Sequence, residues 1–173
     1  MFAQDGEETE AMHLEFLVAE PSAEAALQSL VPKIVGPAIS FAIHPYQGKP
    51  DLLGKLPGVL RAYRAWLPLD AAIVVLLDND RDDCRALKAR LEEMAARAGF
   101  VTRSAAPMGS RFRVVNRLAV EELEAWFFGD VEAMHAAYPR LPSTLGHQSR
   151  YRRPDAIAGG TWEALERVLR RAG

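Results

Sequence analysis

Four aspartates close a long apolar run, and their spacing is the clearest chemical signal in the chain. Ala71 to Leu77 carries Ile73, Val74, Val75, Leu76 and Leu77 with no polar residue among them. That is the pattern of a strand buried on both faces of a parallel sheet. Asp78 and Asp80 follow where the strand gives out, and open α/β sheets bind ligands at the carboxyl ends of their strands. If the strand continues through Asn79, Asp78 and Asp80 point the same way. Two convergent carboxylates held as anions call for a cation, and a hard ion such as Mg²⁺ or Mn²⁺ is the natural neutraliser. The same stretch also suits a solvated acidic turn in which Asp82 or Asp83 caps the next helix.

Three further groups could join such a site. Glu20 follows the apolar run Leu14 to Val18, and beside Asp78 and Asp80 it could complete a metal site or serve as a general acid/base. Gln47-Gly48-Lys49 follows a second apolar run. Its glycine permits close backbone approach to an anion, and its lysine offers a phosphate contact; it also reads as an ordinary loop. Glu121 and Glu124 are spaced to share a helix face, with Glu122 pointing elsewhere, although acidic residues near a helix start are favoured by the dipole alone. Arg111, Arg113 and Arg117 cluster, as do Arg140, Arg150, Arg152 and Arg153, a pattern that serves a nucleic-acid backbone or plain solubility. His13, His44, His135 and His147 show no paired ligand spacing, and no GxSxG or Ser-His-Asp arrangement supports nucleophilic hydrolysis.

The elements that must position these residues alternate. Strands are expected at Leu14–Val18, Ile39–His44, Ala71–Leu77, Phe100–Arg103 and Phe112–Leu118. Helices are expected over Ala23–Lys33 with Ser22 as cap, from Asp51 through Tyr63, and over Asp83–Ala98. A helix starting at Glu121 and a short one after Asp130 follow, then a long loop over Pro139–Gly160 and a last helix capped by Thr161. Pro32 and Pro57 are expected to end or bend their helices. Ala26, Leu27, Leu30 and Val31 form a core stripe, and Trp126, Phe127 and Phe128 read as core. The β-α-β-α-β-α-β order argues an α/β fold with a mostly parallel central sheet and helices on both faces.

Bulk properties set the limits. The chain has 173 residues, 49% of them hydrophobic, with formal net charge −2. One domain over residues 12–173 with a loose tail at 1–11 is expected. The net charge neither demands nor excludes a polyanionic partner. Cys84 is the only cysteine, so no internal disulfide forms. No leader or membrane-spanning run is visible, so a cytoplasmic protein without membrane association is expected.

Glu after the first strand, Asp-x-Asp after the third and the α/β order resemble the Toprim domain of topoisomerases, bacterial primases and OLD-family nucleases. More closely, FLVAEPSAEAAL, HPYQGKPDLLGKLP, VVLLDNDRDDCRALKARLE and VNRLAVEELEAWFFGD resemble an uncharacterised bacterial family of Toprim-like proteins, a domain of unknown function. The resemblance spans Leu14 to Gly173 and implies a Toprim-like three-layer sandwich. It implies a Mg²⁺- or Mn²⁺-dependent phosphoryl-transfer site, with Glu20, Asp78 and Asp80 catalytic and Asp82 and Glu124 as further metal ligands. Lys49, Arg81 and Arg113 would hold phosphate or nucleic acid. Relatives stand beside genes for ABC-like or AAA-type ATPases, which implies an ATPase partner and a role in phage defence. Relatives commonly read V-E-E-P-S where this chain has Val18-Ala19-Glu20-Pro21-Ser22, so the glutamate expected at position 19 is alanine here.

The leading expectation is a metal-dependent nuclease or nuclease-related protein acting on nucleic acid. The alternatives are a non-catalytic Toprim-like binding or regulatory module and an aspartate-nucleophile phosphatase using Asp78-Asn79-Asp80. The phosphatase motif normally follows the first strand of its domain, which this one does not.

Overall fold

The computed structural model describes residues 12–173 apart from Arg81 and Glu121. The expected tail at 1–11 and the candidates Arg81 and Glu121 lie outside the described residues. In order the elements are β1 (His13–Val18), α1 (Pro21–Val35), β2 (Ser40–Pro45), α2 (Lys49–Trp66), β3 (Ala72–Asp78), α3 (Cys84–Arg97), β4 (Val114–Ala119), α4 (Ala125–Gly129), α5 (Val131–Ala137) and α6 (Thr161–Ala172). The four strands form one all-parallel sheet in the order β2-β1-β3-β4, flanked by helices. This is the α/β class with a parallel sheet that the alternating pattern implies. β3 is interior, as an apolar run without alternation requires, and β1 is its neighbour. Ile73 N donates to Arg113 O at 2.8 Å and Asn79 N to Ala119 O at 2.9 Å; the constant offset is the signature of a parallel pair.

The chain divides into two compact units. The first comprises the residues up to Val75 and Glu92–Asn116. Here β1 pairs with β2 in the register His13↔Ser40 through Val18↔Pro45. Alternation puts His13, Glu15 and Leu17 on one face with Ser40, Ala42 and His44. Phe16 and Phe41 meet edge-on on the other face, ring centres 6.4 Å apart. Helix α1 buries Ala23, Leu27 and Val31, while Leu30 of the expected stripe is exposed. Helix α2 buries Leu52, Leu53, Leu56, Leu60 and Tyr63.

The second unit comprises Leu76–Leu91 and Arg117–Gly173. Its core gathers Phe128, Met134, Leu141, Leu145, Tyr151, Ile157, Leu165 and Val168, and Phe128 stacks on Tyr151 with ring centres 5.1 Å apart. The stretch expected as a long loop therefore supplies four core side chains: Leu141, Leu145, Tyr151 and Ile157. It also contains two short 3-10 turns.

Several expectations are corrected. Phe100–Arg103 is no strand; Thr102 alone bridges to Val114. Gly99 N bonds Ala96 O at 2.9 Å and Phe100 N bonds Ala95 O at 3.0 Å, ending α3 in a Schellman motif. Ala106 N then bonds Thr102 O at 2.9 Å, so turns take the backbone groups on either side. Pro32 and Pro57 lie inside α1 and α2 without ending them. Glu20, not Ser22, is the N-cap residue of α1, and Gly160, not Thr161, that of α6. A Cβ on Gly160, at φ +91°, would run into the Glu163 carboxylate. Trp126 and Phe127 are exposed and only Phe128 is core.

Candidate functional site

In the second unit the acidic stretch forms a turn organised by its asparagine. β3 ends at Asp78, so strand alternation does not reach Asp80. Asp80 instead adopts φ +49°, the one non-glycine residue in the left-handed region among the described residues. Asn79 is buried, its amide pinned to β4 through Ala119 O. Its side chain donates to Asp82 O at 3.0 Å and Asp80 O at 3.4 Å, and Asp82 N returns a bond to Asn79 O at 3.0 Å. Asp83 Oδ1 accepts from Arg85 N at 2.8 Å and Ala86 N at 3.3 Å, which makes Asp83 the cap of α3. Asp78 is half-buried at the strand end, and Asp80 and Asp82 are exposed.

In the first unit the ends of β1 and β2 are tied together. Tyr46 N donates to Val18 O at 2.9 Å and Gly48 N to Ala19 O at 2.8 Å, so the ladder continues into the Gln47-Gly48-Lys49 turn. Gly48 sits at φ +91°, where a side chain is strained. Asp51 Oδ2 reaches back to Gln47 N at 3.1 Å, and its other oxygen meets Lys55 Nζ at 2.7 Å. The Lys55 contact, then the Gln47 amide, hold its carboxyl below the usual range. Lys49 begins α2, half-buried. Glu20 is exposed and makes no side-chain cap bond to α1, while Ala19 is only 3% exposed.

The same unit holds a cluster that the sequence reading passed over. Glu15, buried in mid-β1, accepts from His44 Nε2 at 2.6 Å, Tyr63 Oη at 3.1 Å and His13 Nε2 at 3.2 Å. The other ring nitrogen of His13, Nδ1, lies 2.7 Å from the Ser40 hydroxyl. Burial first, then the Glu15 charge, push the Tyr63 hydroxyl well above its ordinary pKa. The signal was the His13-x-Glu15 spacing, which puts both on one strand face; His44 joins only through the β1–β2 register.

The other candidates are placed as follows. The Arg113 guanidinium binds Leu67 O at 3.0 Å, Pro68 O at 2.5 Å and Ala71 O at 3.3 Å and lies over Phe100, so its donors fasten the connection between α2 and β3. Burial lowers its pKa. Glu124 is the half-buried N-cap residue of α4. Glu122 accepts from the Thr161 hydroxyl at 2.6 Å and Trp162 N at 2.8 Å, holding the start of α6. Among the described residues no three His, Cys, Asp or Glu side chains are grouped to hold a metal by themselves. None of their helices is long and apolar enough to cross a membrane.

The family model for a domain of unknown function, DUF4276, matches residues 18–173. The chain belongs to the DUF4276 family. That match contains the acidic turn, Glu20, Lys49 and the whole second unit, and begins after the Glu15 strand position. No curated protein and no solved structure matches the DUF4276 chain.

Proposed function

We propose that this DUF4276 chain is a Toprim-like, Mg²⁺- or Mn²⁺-dependent phosphoryl-transfer protein, a nuclease or nuclease-related enzyme acting on nucleic acid. The acidic turn carries this reading. Asp80 takes a left-handed conformation in this turn, one that aspartate adopts more readily than most residues. Asn79 bonds the Asp80 and Asp82 carbonyls, so the acidic side chains are gathered in one tight turn directly after Asp78.

The donor set suits a hard cation. Asp78, Asp80 and Asp82 offer oxygen only, and Mg²⁺ is commonly held by one or two carboxylates, with water and substrate phosphates filling the rest. Such an ion supplies charge neutralisation at a phosphoryl group when bound. Asp78 and Asp80 would hold it, with Asp82 and Glu124 as further acidic groups. Glu20, exposed and without a cap bond, is able to take or give a proton, and Lys49 to hold phosphate. The ATPase partner and the role in phage defence belong to the same proposal.

Calorimetry with Mn²⁺ tests it. The parent should bind weakly, and the variant Asp78→Asn with Asp80→Asn should give no signal and lose metal-dependent cleavage of single-stranded and plasmid DNA. An unchanged Mn²⁺ signal in the double variant refutes the assignment.

One observation favours a second reading, a binding module without catalysis: position 19, at the end of β1, is a buried alanine with no carboxylate to offer. Retained DNA binding with no cleavage under any metal would decide for it.

A further inference from the structure

Charge is distributed unevenly along the chain. Residues 138–173 hold seven of its 21 basic residues and three of its 23 acidic ones, so this segment carries +4 and the remainder −6. The whole segment lies in the second unit. Within it an open groove of about 190 Å³ is lined by Arg140, Arg171 and Gln148 and by the outer edges of the core side chains Leu141, Leu145, Tyr151 and Val168. Both arginines are exposed. Arg140 Nη1 donates to Gly173 O at 3.3 Å, which fixes it beside the last turn of α6, the turn that carries Arg171. Two exposed arginines thus line one groove with the edge of the apolar core.

A groove lined by apolar side chains and two cations takes a flat, weakly polar body bearing an anion. A nucleotide has that chemistry: phosphate for the arginines, base for the apolar side chains, and an amide in Gln148 for a base edge. A duplex keeps its bases stacked inside, whereas a single strand can turn one out. The unit also exposes the rings of Tyr138, Trp126, Phe127 and Trp162, and aromatic faces beside cationic side chains are how single strands are held without sequence preference. Tyr138 is joined to the groove, its carbonyl accepting from Leu141 N at 2.8 Å.

We infer that the groove lined by Arg140 and Arg171 is a docking site for single-stranded nucleic acid, with one nucleotide seated against its apolar side chains. This deepens the proposed function and rests on it for the substrate class, but needs neither the metal nor Asp78.

The test is fluorescence anisotropy of the full chain with a short labelled oligothymidylate in EDTA, at several salt concentrations. The parent should prefer the single strand to a duplex of equal length and to poly-glutamate. Arg140→Glu with Arg171→Glu should weaken binding at least tenfold and reduce the salt slope by about 1.4, at about 0.7 per phosphate neutralised on a single strand. Arg90→Glu, an exposed arginine of α3, should change little. Both changes are on the surface, and unaltered melting of each variant confirms the fold. Equal binding of poly-glutamate or duplex, or a double variant that binds like Arg90→Glu, overturns the inference. Groove-dependent binding without any metal-dependent cleavage leaves it standing while the phosphoryl-transfer reading falls. Asp78-dependent cleavage indifferent to Arg140 and Arg171 does the reverse.

Discussion

His44 Nε2 lies 2.6 Å from Oε2 of Glu15, so a half-exposed histidine of β2 meets the charge buried in mid-β1. Three donors satisfy that carboxylate, which is the condition under which a buried charge is tolerated. Removing one is expected to be felt: Tyr63→Phe should lower the unfolding free energy in urea by about 1–2 kcal/mol.

The same tyrosine predicts an alkaline limb. Its folded pKa is raised by burial and by Glu15 above the ordinary 10.0. Its protonated form is therefore favoured in the fold, and the stability linked to it is complete below about pH 10 and is lost as pH rises beyond that. Thermal melting between neutral pH and pH 11 should fall less steeply at the alkaline end in Tyr63→Phe than in the parent. Parallel curves would show that Tyr63 does not report on this cluster.

Asp51 has the opposite sign. Its pKa is lowered from 3.8 by Lys55 and the Gln47 amide, so its contribution is present above that value and is lost as pH falls through the folded pKa. Asp51→Asn should flatten the acid limb of the melting curve below about pH 4, and hydrogen exchange at Gln47 should speed up.

The turn conformation can be separated from the turn charge at Asp80. Asparagine tolerates φ +49° and removes the charge; valine does not tolerate it. Asp80→Val should be less stable than Asp80→Asn by about 1–2 kcal/mol, while both should lose Mn²⁺ binding. Equal stabilities would mean that the loop relaxes out of the left-handed region.

Position 19 gives a sharper outcome than the sequence suggests. Ala19 is 3% exposed and its carbonyl receives Gly48 N, so Ala19→Glu buries a carboxylate without a built partner. Its melting temperature should fall and cleavage should not rise, whereas Glu20→Gln should abolish any cleavage the parent shows. A gain of cleavage in Ala19→Glu would mean that β1 rearranges to present the new group.

The sheet was legible because its signals are local. A short, β-branched apolar run that stops at aspartates favours an interior strand, and Gly99 stops α3 where a left-handed residue is needed. The candidate site was legible only in part. Asp78 and Asp80 stood out by spacing, but strand alternation could not reveal that Asp80 turns left-handed, because that depends on Asn79 bonding carbonyls on either side of Arg81. Glu15, His44 and Tyr63 come together through strand register and a crossover helix, relationships that no window of sequence contains. Trp126 and Phe127 looked like core because large aromatic side chains usually are; in a helix of five residues the buried face holds Ala125 and Phe128 alone.

The Glu122 carboxylate joins residues that stand 39 apart in sequence, and the stretch it encloses includes the exposed Arg152 and Arg153. Tyr151 and Ile157, on either side of those arginines, are both buried in one core. A protease that nicks the chain after Arg152 would therefore leave two pieces still gripping each other, with α6 held at its start by Glu122 and along its length by Leu165 and Val168. Cleavage at 152–153 is therefore expected to leave the core of the second unit assembled, with both new ends anchored in it.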